Sequence, residues 1–546
     1  MRNRMKSRGL AALAVALSML GWLGAGVRPA RAAEATAATA TGDSSAPGEI
    51  GTDPAVTLDP SSPQVAALPG GVTPAYGQRS LSEGEWRFDF HGFLTAPLSV
   101  GINSRTNQGM TPGPGQTNLT LHAPPVVPDD LETFSHTGVI PTTYAQLNFS
   151  EGNSVVSANV SIVAKQANVS ESFLEPADQL GITDVYLTFL PRVGGQHLHL
   201  QVLVGAFTTR YGATGEYDEG RYGTPLIARI SGVGELATAK SSYQNWIFIF
   251  EEGLHGQTNK ASSSITPDVW NNFADPGEGS SFVAHAHLGA GYGKRLTLGA
   301  HFIRAWSQDD RDGELEPDGR INVFAGDLRL GLGRFGHFYA AYSYTDALQS
   351  RSVSRVLSVL NTQGGPGLMS EYLGPNSNGT GTLSTVGGQY DLSVGRLASY
   401  PVPFSGDGPD LVLSVFALQT HVTTPDTSSF YTATIGGVTN HYGAYNGATK
   451  RKYGIEGTYS MLSWLAASMR FDHVDPFVSD KDFSFSVLSS RLILHTDWQS
   501  TDQVVIQYSH WFNGSATAVR DGEPPMYDLS VVPDSNVLSV SASMWW

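Results

Sequence analysis

The sequence predicts an all-β protein: a closed antiparallel transmembrane β-barrel of 18 strands, with 16 as the alternative count. Three observations predict it. Only 15 % of the 546 residues are charged, against roughly 25 % in an ordinary soluble domain. From Trp86 onward, short segments of alternating apolarity recur between stretches rich in Gly, Asp, Asn and Pro, the period-2 signature of strands and turns. The connections between these segments alternate in length. Short ones fall at 149–154, 191–196, 291–295, 331–336, 460–464 and 496–502. Long polar ones fall at about 104–141, 166–181, 208–224, 346–382, 422–449 and 513–535. Bacterial barrels have short periplasmic turns and long external loops.

The alternation itself is two-faced. Val185, Leu187 and Phe189 share one face, with Asp184, Tyr186 and Thr188 on the other. Leu198, Leu200, Val202 and Val204 alternate with His199 and Gln201, and Leu465, Ala467, Met469 and Phe471 with Ser468, Arg470 and Asp472. An apolar face backed by charged and hydroxyl side chains suits a lipid-facing exterior around a wet interior. The mean hydropathy is −0.13, and no apolar run after the N-terminus reaches the roughly 20 residues of a membrane helix.

Strands are expected near 86–102, 142–149, 154–164, 182–190, 197–207, 281–291, 295–304, 320–331, 337–345, 383–394, 410–421, 450–460, 464–473, 482–495, 502–512 and 536–546. Between 207 and 281 the parity of up and down strands requires an even number. Either 225–233 pairs with 243–251, giving 18, or both belong to one long loop, giving 16. Both counts leave the N- and C-termini in the periplasm. The turn at 395–409 is long for that side.

Residues 1–32 have the layout of a secretory signal: a basic start at Arg2, Arg4, Lys6 and Arg8, an apolar stretch from Leu10 to Leu23, and the cleavage pattern Ala30-Arg31-Ala32. Residues 33–85 form a low-complexity periplasmic leader, too poor in large apolar side chains to offset the entropy of ordering. The barrel is then 86–546. There is no Cys, so an exported chain must be held together by something other than disulfides. The formal charge of −16 disfavours nucleic acid as a partner and suits a cation-tolerant lumen or acidic surface loops.

The chain ends NVLSVSASMWW. Leu538, Val540, Ala542, Met544 and Trp546 fall on one face and Ser539, Ser541 and Ser543 on the other. This strand resembles the C-terminal assembly signal of bacterial outer-membrane proteins, which ends in Phe or Trp. Segments such as FDFHGFLTAPLSVGI (88–102), VLVGAFTTRYG (202–212) and VVIQYSHWFNG (504–514) resemble porin wall strands. The resemblance covers 86–546 as architecture and defines no solute. It implies a multi-pass barrel in the outer membrane of a Gram-negative cell, passing small hydrophilic solutes or ions by diffusion. Its partners would be outer-membrane lipid, lipopolysaccharide and the barrel-assembly machinery, with a homotrimer as the candidate assembly.

No catalytic motif, phosphate-binding loop or cofactor signature is present, so neither an enzyme nor a cofactor is expected. In porin-like barrels the third external loop folds into the channel. Here that stretch is 208–239, with Arg210, Glu216, Asp218, Glu219, Arg221, Arg229 and Glu235 as the candidate constriction. Opposed carboxylates and guanidinium groups across a narrow pore select by charge. Arg329, Glu456, Arg470 and Asp472 are the candidate lumen wall. Asp309, Asp310, Asp312 and Glu314 form a weak candidate Ca²⁺ site of hard oxygen ligands, or a solvated loop. Trp246, Phe248, Phe250, Tyr342, Tyr344, Trp511, Phe512, Trp545 and Trp546 are expected in interfacial girdles. The rival readings are a plugged barrel with an assembly or surface-interaction role, an outer-membrane hydrolase, and a soluble secreted β-protein.

Overall fold

The computed structural model describes residues 86–102, 122–123, 137–138, 143–166, 180–191, 198–211, 227–258, 280–293, 295–308, 319–350, 353, 357–358, 373–398, 410–435, 438–462, 464–475, 477–479, 481, 484–495, 503–513 and 535–545. The expected signal (1–32) and leader (33–85) segments lie outside them.

Eighteen long antiparallel strands form one sheet. They are β1 (Arg87–Ile102), β2 (Thr143–Gly152), β3 (Val156–Gln166), β4 (Leu180–Phe189), β5 (Leu198–Tyr211), β6 (Ala228–Tyr243), β7 (Trp246–Thr258), β8 (Ser280–Tyr292) and β9 (Leu296–Gln308). They continue as β10 (Arg320–Gly331), β11 (His337–Leu348), β12 (Gly381–Ser393), β13 (Asp410–Thr423), β14 (Thr449–Leu462), β15 (Leu465–Asp475), β16 (Phe485–His495), β17 (Gln503–Asn513) and β18 (Ser535–Trp545). Each strand pairs with its neighbours in sequence. In addition β18 pairs with β1, from Phe93↔Trp545 to Ile102↔Asn536. The higher of the two predicted counts is therefore the observed one. The stretch 234–242, expected to be a connection, is strand: β6 runs to Tyr243 and meets β7 through a two-residue turn at Gln244 and Asn245.

The short connections are closed by local chemistry. The Asn153 side-chain carbonyl accepts from the amides of Val155 and Val156 at 2.8 and 3.0 Å, an Asx turn between β2 and β3. Between β10 and β11, a single 3₁₀ turn (Gly333–Phe335) is flanked by Gly336, whose φ of 89° is left-handed. The long connection after β12 opens with a helix, Val394–Ala398. Asp410 anchors it, accepting from the Ser393 hydroxyl at 2.5 Å and the Gly395 amide at 2.7 Å.

At the opposite end the long connections carry structure of their own. A hairpin pairs Ser429–Ile435 with Val438–Ala444. Asp426 pins the segment before it to the approach of β12, accepting from the Asn376 and Ser428 amides, each at 2.8 Å. Leu357–Ser358, between β11 and β12, pairs with β6 as Leu357↔Ile230 and Ser358↔Arg229, beyond the last β6–β7 pair, Val233↔Gly256.

The faces of the sheet are sharply different. One face exposes large apolar side chains from successive strands, among them Phe248, Leu288, Phe302, Phe324, Tyr342, Val386, Ile455, Met469 and Val540. The other face is buried and has two zones. Toward the end with the long connections it is apolar: Ile230, Val283, Ile303, Ile321, Val323, Val422, Val474, Val487 and Val537 have no exposed surface. Further along the same strands it turns polar, with His285, His301, Thr385, Gln389, Glu456, Arg470, Ser489 and Gln507. The inner face is thus polar over only part of the strands' length.

Two glycines of one turn separate backbone strain from steric clash. A Cβ on Gly336 would lie 2.0 Å from the Asp391 carbonyl oxygen, whereas a Cβ on Gly333, with φ of 64°, meets nothing within 4 Å. Gly333→Ala should cost about 1–2 kcal/mol, the left-handed backbone alone. Gly336→Ala should cost clearly more, read as a lower urea midpoint of detergent-refolded protein.

Asp426 carries a pH signature. Its burial would raise the carboxyl pKa, but hydrogen bonds from Ser428 and Asn376 outweigh that and hold it below the usual carboxylate value. A depressed folded pKa contributes stability that is fully present above the unfolded value, about 3.9, and is lost only as pH falls below that value and through the lower folded one. Asp426→Asn should therefore speed proteolysis of this end at pH 7, with the difference from wild type shrinking only as pH falls below about 4 toward the depressed carboxyl value.

Candidate functional site

Period 2 decides which charged side chains meet. On β14, Lys450, Lys452 and Glu456 share the buried face. On β15, Arg470 and Asp472 do, and on β16, Arg491. The register places Glu456 directly opposite Arg470, with Arg470 opposite Ser489 and Ser468 opposite Arg491. One patch therefore collects basic and acidic groups from three adjacent strands.

Its geometry is tight. Arg470 grips Asp472 with two parallel hydrogen bonds of 2.7 Å, from Nε and Nη2. Glu456 accepts from Arg491 Nη2 at 2.5 Å and from the Ser468 hydroxyl at 3.0 Å, and lies 3.7 Å from Arg470 Nη1. The Arg470 guanidinium also sits over the Phe416 ring at 4.9 Å, and the Lys450 ammonium over Phe477 at 4.7 Å. Fork-to-fork pairing and aromatic stacking both favour Arg at position 470 over Lys.

A second polar cluster lies on β7 to β10: Glu251, His255, His285, His287, His301 and Asp327. The rings of His287 and His301 stack in parallel, with centroids 4.2 Å apart. Glu251 Oε2 lies 2.5 Å from His287 Nδ1, and Asp327 Oδ2 lies 2.8 Å from His301 Nε2. Sequence reasoning did not single out these residues. The signal was present on β8, where His285 and His287 are spaced i, i+2 and so must share a face.

The expected site residues fall in different places. Glu456, Arg470 and Asp472 come together in the charged patch. Arg329 is on β10, opposite Thr297 and Tyr339. Arg210 and Arg229 are wall residues, paired across β5 and β6. Glu235 is also in β6, opposite the exposed Val204 and Leu254, so it belongs to the apolar face rather than to an inward loop. Glu216, Asp218, Glu219 and Arg221 lie outside the described residues, as do Asp309, Asp310, Asp312, Glu314 and Trp546. Leu538, Val540, Ala542 and Met544 follow one another along the outer side of β18, facing away from buried Val537 and Ser539. Trp246, Phe248, Phe250, Tyr342, Tyr344 and Phe512 are on the exposed face, but Trp511 is buried and stacks on Phe485 at 5.2 Å.

Removing one member of a buried ion-pair network leaves the others charged and unpaired, at a cost of about 3–5 kcal/mol. Arg470→Leu should lower unfolding stability by that order, while Arg470→Leu combined with Asp472→Leu should recover part of the loss. Equilibrium unfolding in detergent measures both.

No family model matches the chain, and no curated protein matches it in sequence. Solved structures do match in fold. Acinetobacter baumannii OccAB4 aligns at 9 % identity and a TM-score of 0.41, covering 86 % of this chain and 99 % of its own. Salmonella typhi OmpF aligns at 11 % identity and 0.36, covering 84 % and 97 %. The outer membrane channel DcaP of A. baumannii aligns at 12 % identity and 0.32, covering 85 % and 99 %. In its fold the chain is similar to outer-membrane porins and channels.

Proposed function

We propose that the chain is an outer-membrane diffusion channel. Its wall is a closed 18-stranded barrel with both termini in the periplasm, preceded by a cleaved signal (1–32) and a periplasmic leader (33–85). The observation that carries this is the two-faced wall. Exposed apolar side chains recur around the sheet while the charges of β14 to β16 and β7 to β10 share the buried face, and each of the strands β1 to β18 has a neighbour on both sides. Lipid tolerates strands only on those terms. The β14 to β16 patch sets Lys450, Lys452, Arg470 and Arg491 against Glu456 and Asp472, and Glu251 and Asp327 stand on another sector; an uneven charge of this kind along a wall filters solutes by charge. No step of the function is chemical.

The second reading is a barrel occluded at its external end. The fully buried apolar zone at Ile303, Ile321, Val323, Val422, Val474 and Val487 favours it, because a water-filled lumen would wet those side chains.

Mature protein should fractionate with outer membranes and migrate differently on gels before and after boiling. Recovery as a soluble protein would overturn the barrel reading. In planar bilayers the refolded protein should give discrete conductance steps. Silent insertions, with the gel shift intact, would decide for the occluded barrel. If 208–239 carries the constriction, neutralising Glu216, Asp218 and Glu219 should move the reversal potential toward anions. Neutralising Arg210, Arg221 and Arg229 should move it toward cations. Equal small shifts would put selectivity on Arg329, Glu456, Arg470 and Asp472 instead. Deleting Trp546 should reduce surface levels without changing the conductance of the channels that do assemble.

A further inference from the structure

We propose that His285, His287, His301 and Asp327, braced by Glu251, form a binding site for a divalent transition metal of the zinc type on the buried wall. The proposal does not depend on what the barrel passes.

The register builds the site. Glu251, His287 and His301 stand directly opposite one another across β7, β8 and β9. His285 is next on the same face of β8, toward the apolar zone. Asp327 comes from β10, opposite Gly299 rather than opposite His301. Its carboxylate reaches His301 by folding over that glycine: a Cβ at position 299 would lie 2.1 Å from Asp327 Oδ2 and 2.8 Å from its Cγ. Glycine is thus the residue that lets this carboxylate into the cluster.

Donor atoms of His287, His301 and Asp327 all lie within 4.8 Å of one another. Zinc takes nitrogen and carboxylate ligands at about 2.0–2.2 Å, so small side-chain rotations bring the three donors onto one ion. Glu251 on His287 Nδ1 is the carboxylate–histidine pairing that orients a ligating imidazole and raises its basicity. The remaining ring nitrogen, Nε2, then meets the metal.

His285 supplies the independent observation. It is only 3 % exposed, and neither ring nitrogen has a hydrogen-bond partner. Its ring centroid is 5.9 Å from that of His301 and 6.4 Å from that of His287, with Tyr211 against it at 4.3 Å. Two orphaned nitrogens in a buried ring are costly, and a metal ion satisfies one of them. Glu251 and Asp327 also bring buried negative charge that a cation offsets. Imidazole and carboxylate donors without thiolate suit Zn²⁺, Ni²⁺ and Cu²⁺ rather than Ca²⁺ or Mg²⁺.

The test uses full mature protein, refolded in detergent, stripped with chelator and titrated with Zn²⁺ by calorimetry. Co²⁺ absorption gives a second readout of the coordination shell. One Zn²⁺ per chain should bind, and Ca²⁺ should not compete. Asp327→Asn and Gly299→Ala should each weaken binding about 10–100-fold while keeping the heat-dependent gel shift. His287→Ala with His301→Ala should abolish it, and His473→Ala, on the other face, should leave it unchanged. Should the double histidine variant fail to fold, Asp327→Asn decides. Wild type without saturable Zn²⁺ binding, or Asp327→Asn and Gly299→Ala both binding as wild type does, would overturn the site.

Discussion

The ladder between β1 and β18 is the contact on which the rest depends. It joins residues near the start of the strand region to the last strand of the chain, from Phe93↔Trp545 to Ile102↔Asn536. An unpaired sheet edge presents a row of bare amides and carbonyls, which water can satisfy and lipid cannot. With that ladder formed, the exposed face can afford to be apolar. Without it, the same side chains would make an aggregating sheet.

Period 2 then does two jobs at once. It sends Leu465, Ala467, Met469 and Phe471 outward, and in the same strand it stacks Arg470 beside Asp472. Each outward apolar residue therefore fixes the orientation of an inward polar one. A one-residue slip of register would exchange the faces, which the buried charges make prohibitive. The network at Glu456, Arg470, Asp472 and Arg491 is best understood as a lock on register as well as a lining.

Much of this was legible in the sequence. The alternation at 182–189, 198–204 and 465–472 gave both strands and faces, and the parity argument narrowed the count to two values. Parity could not choose between them because β6 lacks an apolar face over much of its length. Its outward positions include Glu235, Ala237, Ala239 and Ser241, too small or polar to register as a lipid-facing strand. The inner apolar zone was illegible for the opposite reason: around Phe302 to Ala305 and Ile321 to Phe324 both faces carry apolar residues, so alternation disappears. The histidine cluster needed something no single strand contains. His285 and His287 were visible as a pair, but their meeting with His301, Glu251 and Asp327 is a fact of register across four strands.

The short pairing of Leu357–Ser358 with Ile230 and Arg229 has a consequence for the order of assembly. All neighbouring strands from β1 to β18 can zip successively, each closing a modest loop. The strap instead joins β6 to a connection that emerges only after β11, so it is a non-local contact, though less so than the β1–β18 ladder. It can close only once β11 has been made, and it pairs with the part of β6 that lies beyond the β6–β7 ladder. This end of the sheet is thus fastened by a stitch between two segments that no single hairpin brings together.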